Sequence, residues 1–310
     1  MIAVNPRRAA WRQTATISVV AVAVFVLLRW LPLSGGSLHY TDFGAGQRGF
    51  LEFCEPGSPQ FAPVDRVHSP VTLELVPTAP LEAGVVAEVR ARLTTSSGKP
   101  VSADDLLVVH TQKLHLLIID TSLEDYQHVH PAPAGADGSF VFQFTPKRAG
   151  RYRVFADFMP RATGRSLYAG ATIAVGGGEA AARPTPVAER EQLSTVVDGI
   201  QFDLASSDVP LRLNRTANIV LTVARVDKTP LVLEDVMGAA AHLVAFDEKC
   251  SGFAHLHPAP PSLEVPAGSD AGQRLVFSLN LADPGYFRLW AQIHVAGRDV
   301  FAPFGLRAVP

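Results

Sequence analysis

The stretch His115 to Pro131, HLLIIDTSLEDYQHVHP, returns without a gap at His242 to Pro258 as HLVAFDEKCSGFAHLHP. Both copies spell H-x12-H-x-H-P, with His115 over His242, Asp120 over Asp247, His128 over His255, His130 over His257 and Pro131 over Pro258. Six of the ten histidines therefore belong to one duplicated pattern. Downstream, Gly150-Arg-Tyr-Arg-Val-Phe-Ala-Asp-Phe158 lies over Gly285-Tyr-Phe-Arg-Leu-Trp-Ala-Gln-Ile293 and sets Arg153 on Arg288. A repeat of about 110 residues is a duplicated globular domain, since solenoid modules run to roughly 20 to 50 residues.

Each copy sits in a strand-rich unit. In the first, short alternating segments occupy Val71–Leu75, Val85–Leu93, Leu106–His110, Leu114–Ile119, Tyr126–His130, Phe140–Phe144, Tyr152–Phe158 and Ala171–Val175. Turn formers such as Ser96-Ser-Gly-Lys-Pro100 and Gly135-Ala-Asp-Gly138 separate them at the spacing of an antiparallel sandwich. The second unit repeats the order from Gly199 to Val309. The prediction is an all-β protein of two tandem immunoglobulin-like antiparallel β-sandwiches, domain 1 over 69–176 and domain 2 over 193–310. A linker rich in Gly and Pro, 177–192, joins them.

The 310 residues carry a net charge of −2 and only 18% charged side chains, so no basic excess points to nucleic acid. Two cysteines, Cys54 and Cys250, are too few for a Cys-rich zinc site or a disulfide scaffold. They either pair, clipping the segment around Cys54 to domain 2, or stay free. Arg7, Arg8 and Arg12 precede the uncharged run Ala15 to Leu28, followed by Arg29 and Trp30. This predicts a cytoplasmic tail at 1–12, a transmembrane signal anchor at 13–33, a tether at 34–68, and exported domains. A cleaved signal peptide ending near Ser34-Gly-Gly36 is the alternative.

With the hairpin turn centred between residues 121 and 122, His115 stands opposite His128, and His130 shares their face. The same arithmetic gathers His242, His255 and His257. Three neutral imidazoles on one patch suit Cu(II), Zn(II) or Ni(II), and protons would compete with the metal below about pH 6.5. Asp157 stands ready to complete the first set; its aligned place holds Gln292, with His294 two residues on. The competing reading is that histidines among Leu, Ile and Val are packed rings satisfied by backbone carbonyls. Against it, all three His pairs persist while Leu123 has diverged to Cys250 and Ile119 to Phe246. The sequence offers no nucleophile with its base and no acid–base pair beyond the histidines, so an enzyme is not expected.

Lys113-Leu-His-Leu-Leu-Ile-Ile119, Tyr126-Gln-His-Val-His-Pro131 and Met237-Gly-Ala-Ala-Ala-His-Leu243 with Phe253-Ala-His-Leu-His-Pro258 resemble the bacterial exported proteins of the YtkA-like and CopC-like immunoglobulin-sandwich group. The resemblance covers about residues 69 to 310. It implies a bacterial inner-membrane protein whose domains face the periplasm or cell exterior and handle copper or another transition metal, with an envelope metal-handling protein as partner. The chain departs from the copper carriers of that group, whose site uses a free N-terminal amine and its His. A membrane-anchored protein that binds copper or zinc for homeostasis or delivery is the expectation. The competing expectation is a structural or partner-binding immunoglobulin-like module of the envelope.

Overall fold

The computed structural model describes residues 6–30, 61–135, 137–176, 189–206, 208–259 and 272–310. Domain 1 is built from β1 (Val71–Pro77), β2 (Ala87–Thr95), β3 (Leu114–Asp120), β4 (Tyr126–Val129), β5 (Ala132–Pro133), β6 (Ser139–Phe144), β7 (Gly150–Phe158) and β8 (Leu167–Val175). Along β2 the inward Val89, Ala91 and Leu93 alternate with outward Glu88, Arg90 and Arg92, the period-2 signature of a strand with one wet face. One sheet runs β1-β2-β6-β5 and the other β4-β3-β7-β8, which is the ABED and C′CFG order of the immunoglobulin sandwich. Between the sheets pack Leu93, Leu116, Ile118, Phe140, Phe144 and Val154. The hydroxyl of Tyr152, near the start of β7, donates to Asp125 Oδ2 at 2.6 Å and accepts from the backbone N–H of Arg148 at 3.1 Å, tying back to the chain just upstream as the tyrosine of that fold's corner does.

Domain 2 comprises β9 (Ser194–Val197), β10 (Ile200–Ser206), β11 (Leu211–Arg212), β12 (Thr216–Arg225), β13 (His242–Asp247), β14 (Phe253–Leu256), β15 (Gln273–Asn280), β16 (Gly285–Val295) and β17 (Arg298–Val309). Its sheets are β15-β12-β10-β9 and β11-β17-β16-β13-β14, antiparallel except for the short β11–β17 pair. The fold is thus all-β, a duplicated antiparallel sandwich, as the patterning predicts.

Two expectations change. Leu106–His110 is not a strand: Leu106 and Val109 make single bridges, to Pro160 and Gln112, and His110 and Thr111 turn the chain with φ of 49° and 69°. Val109 and Gln112 bond to each other across this turn, which leaves no ladder to extend. The hairpin register also shifts by two residues, placing Leu117 opposite His128 and Val244 opposite His255. The Asp120 carboxylate accepts from the backbone N–H of Ser122, Glu124 and Asp125, fixing a longer loop than the sequence arithmetic assumed. Asp247 does the same through Ser251 and Gly252, and the aligned Leu123 and Cys250 both take positive φ in these loops.

β3 is buried at every position. Leu114, Leu116 and Ile118 enter the domain 1 core, whereas Leu117 and Ile119 point the other way, into a cluster shared with domain 2. β13 divides likewise, with Leu243 and Ala245 inward and Val244 and Phe246 in the shared cluster. The two domains therefore meet sheet to sheet, each giving the aligned residues Leu117 and Val244, Ile119 and Phe246, Tyr126 and Phe253, Phe155 and Trp290 to one cluster, with crossed ring contacts such as Tyr126 on Trp290 and Phe155 on Phe253. Such self-complementary contact is what a duplicated surface makes around a pseudo-twofold axis. Ala62 and Val64 strap the seam, with Ala62 paired to Phe253. Glu124 of domain 1 pairs with the buried Arg288 of domain 2, and Asp65 with Arg153.

The N-terminal helix α1 (Pro6–Trp30) forms, and it belongs to a separate unit from the sandwiches. Among the described residues no helix is long and apolar enough to cross a membrane. The suggested cleavage site, the tether up to residue 60, Cys54 and most of the linker lie outside the described residues.

Phe246 is fully buried in the seam, 5.4 Å from the Tyr126 ring and 6.2 Å from Phe155 between centroids. Phe246→Ala is expected to cost about 3–5 kcal/mol in urea denaturation. A loss under about 1 kcal/mol would place this ring outside the folded core.

Candidate metal centre

On the face of β3 and β4 that carries Leu117 and Ile119 lie His115, His128 and His130, and a two-residue register shift keeps that face. Their candidate ligand nitrogens lie within 4.8 Å of one another, as do those of His242, His255 and His257. Because that face is also the domain seam, the triads adjoin. The His128 ring is 5.1 Å from His255 and 5.7 Å from His242, and His115 is 5.7 Å from His255. His110 adds a seventh ring, 3.8 Å from His257. What the sequence presents as two separate sites is one buried nest of imidazoles, with His242 at 0%, His115 at 2%, His128 at 8% and His257 at 9% exposure.

Hydrogen bonds settle the tautomers. A carbonyl oxygen can only accept, so the 3.0 Å contact with Val109 O places the proton of neutral His115 on Nε2 and leaves Nδ1 a bare lone pair. His128 Nδ1 lies 3.1 Å from Gln292 Oε1, whose amide is oriented by its Nε2–H donating to Asp299 Oδ2 at 3.2 Å. His128 therefore donates from Nδ1, and its Nε2 is also bare. These two lone pairs face each other at 3.4 Å. Two acceptors so placed repel unless a cation lies between or beside them. In the second triad, His255 Nδ1 is 3.3 Å from Asp157 Oδ2, which leaves His255 Nε2 free. That nitrogen is buried without a hydrogen-bond partner, as are Nε2 of His110, His130 and His257 and both nitrogens of His242. Buried polar atoms are otherwise paired in native proteins, and a histidine metal ligand characteristically donates its far N–H to a carboxylate, amide or carbonyl.

The supports cross the seam. Asp157 stands beside His115 in its own sheet and Gln292 beside His242, yet each holds the central histidine of the other domain. Asp157 thus hydrogen-bonds in the second triad, while it acts by charge on His115 of the first, the set that the sequence reading gave it to. His294 lies outside the nest: it is partly exposed and donates to Asp299 at 2.6 Å, with Glu234 at 3.5 Å, and these carboxylates raise its pKa. Cys250 packs in the seam, where burial pushes its thiol up to about 12; its pairing with Cys54 falls outside the described residues. Sequence reasoning missed His110, whose signal was hidden in a segment read as a strand.

The family model for Domain of unknown function (DUF8832) matches residues 65–177 and again 195–309. The chain is a tandem member of that family. No curated protein matches it. Among solved structures, a crystal structure of a Corynebacterium diphtheriae protein described as membrane anchored is similar at 8% identity and a TM-score of 0.24, over 77% of this chain and 59% of that one. The likeness to YtkA-like and CopC-like proteins rests on motifs alone. Within both family domains the histidine triad lies at the same place, on β3–β4 and on β13–β14.

Burial lowers the pKa of all seven imidazoles, His130 to about 4. Neighbouring rings add to the shift for His115, His128, His242, His255 and His257. Burial also raises the Asp157 carboxyl, which His115 and His110 pull back. Competition by protons at the folded site therefore moves below pH 6.5. The cost reappears in folding: below about 6.5 the unfolded chain binds protons that the folded nest refuses, so stability falls as pH drops toward the folded values. At pH 5.5 each ring costs up to about 1.4 kcal/mol. Chelator-treated protein is expected to melt progressively lower from pH 7.5 to 6.5 to 5.5. A melting temperature flat across that range would mean that the rings are solvated.

Proposed function

We propose that this protein binds transition-metal ions at the seam between its two sandwiches, copper before zinc, as a membrane-attached component of metal homeostasis or delivery in the bacterial envelope. The observation that carries the reading is the pair of bare nitrogens, His115 Nδ1 and His128 Nε2, held face to face at 3.4 Å by protons committed elsewhere. A packing-only role leaves that repulsion, and the unpaired nitrogens around it, without compensation. An all-imidazole donor set suits Cu(II), Zn(II) and Ni(II), and the affinity order of divalent ions puts Cu(II) first. Among the described residues no thiolate joins it, because Cys250 Sγ lies 4.0 Å from Asp120 O in the hairpin loop.

Attachment to a membrane is supported by α1, which exposes Ile17, Val19, Phe25 and Leu27 together and so has no wet face over that stretch. Arg7, Arg8 and Arg12 would keep its N-terminal side in the cytoplasm. Arg29 can snorkel and Trp30 can lie at the interface, which lengthens a short span. The sandwiches would then be extracytoplasmic, in keeping with the likeness to exported metal-handling proteins.

Titration calorimetry of the full-length protein with Cu(II) and Zn(II) tests the reading. Wild type is expected to take up metal at micromolar concentration or below, and the pair His128→Ala and His255→Ala to lose that uptake by at least tenfold in affinity. If wild type binds nothing, or the double variant binds unchanged, the envelope interaction module becomes the better account.

A further inference from the structure

The two triads differ in what surrounds them. We propose that they form a two-ion centre of unequal sites: a resident ion held by His242, His255 and His257, and an exchangeable cargo ion held by His115, His128 and His130. This rests on the metal-binding reading above and assigns distinct work to each half of the duplication.

The first asymmetry is charge. His255 leans on the carboxylate of Asp157, whereas His128 leans on the neutral amide of Gln292. A carboxylate behind a ligating imidazole makes the ring a stronger donor and offsets part of the ion's charge in a poorly hydrated site. At the first triad no histidine hydrogen-bonds a carboxylate directly: Asp157 stands across from His115 on the neighbouring strand and acts on it by charge alone, and Asp299 acts through the Gln292 amide. The second asymmetry is cover. His110 lies tilted against His257 at 3.8 Å and covers that ligand of the second triad closely, while it stands 6.5 Å from His115 of the first. His130, the matching outer ligand of the first triad, is only partly buried and carries no ring from outside its own triad among the described residues. The third element is repulsion. Rings of the two triads approach to 5.1 Å, so two dications bound there are near neighbours, and one directly contacting carboxylate serves both. Filling the first position therefore weakens the second.

The arrangement gives one ion a backed and covered position and the other a neutral, partly open one beside a like charge. The first ion stays with the fold; the second leaves through the His130 edge when a stronger acceptor arrives. Asp157 and Gln292 are positioning residues here, since each acts through the histidine that it holds.

Zn(II) titration of the full-length protein in competition with a chelator of known affinity reads both sites. Two steps are expected, the first at least a hundredfold tighter, with one ion per chain surviving desalting. His257→Ala should remove the tight step and His130→Ala the weak one. Asp157→Asn should weaken the tight step by about tenfold to a hundredfold and leave the weak step in place. Gln292→Glu should strengthen the weak step and narrow the gap, a gain that a merely structural role for Gln292 would not produce. Circular dichroism of each variant establishes that it is folded. Two steps of equal affinity, saturation at one ion, or a loss of affinity in Gln292→Glu would overturn the unequal pair while leaving metal binding intact. Failure of the wild type to take up any Zn(II) or Cu(II) would overturn both.

Discussion

β3 and β13 carry apolar side chains on both faces, so neither sandwich can turn its outer sheet to water. Leu117, Ile119, Tyr126 and Phe155 on one side, and Val244, Phe246, Phe253 and Trp290 on the other, form one continuous cluster. Burying a single such side chain stabilises by about 1.5–3 kcal/mol, and this seam buries eight between aligned positions. The histidines stand at the end of the same strands and on the same face. Their dehydration is therefore a consequence of the seam and not a separate device, and it makes the closed interface and the candidate metal centre one object.

Dehydration explains the chemistry that follows. Imidazoles in water would protonate below about pH 6.5 and hold metal weakly in competition with solvent. In the nest they stay neutral, and their protons are assigned by a carbonyl, an amide and a carboxylate, so that bare nitrogens converge. The same low polarity that would sharpen ligation makes the repulsion of facing lone pairs costly. Closure, tautomer choice and cation demand thus share a single cause.

Much of this is written in the sequence, and the rest is absent for physical reasons. The duplication, the sandwich order and the gathering of each triad on one face are legible, since faces follow a period of two and survive an even error in register. The error itself arose because the reach of Asp120 and Asp247 into their own loops leaves no periodic trace. Position 110 was masked by Leu106-Leu-Val-Val109, whose β-branched run reads as strand although a two-residue turn ends it. The meeting of the two sheets also has a signal in the sequence. Six successive apolar or histidine positions, as in His115–Ile119 with Leu114, are too many for a strand with one wet face. No one-dimensional pattern could have sent Asp157 and Gln292 across the seam, because each sits beside a histidine of its own sheet and serves one in the other. For α1 both the helix and its apolar run, Ala15 to Leu28, are legible in the sequence.

Comparison of the two copies gives the last step. The three histidine pairs are identical, and so is the Asp that organises each loop. Differences fall on the groups around them: Asp157 against Gln292, His110 against Met237, Leu123 against Cys250. His110 and Met237 even occupy the same turn, with φ of 49° and 51° and matching bridges Val109–Gln112 and Val236–Ala239. Backbone geometry is thus held constant while donor type and charge change. A duplicated patch that packs on itself fixes the positions of both triads by symmetry, since any shift of one sheet must be answered by the other. Freedom to diverge is left to the side chains behind and above the histidines. There a single carboxylate or a single covering ring can make two geometrically equal sites chemically unequal without disturbing the seam that holds them.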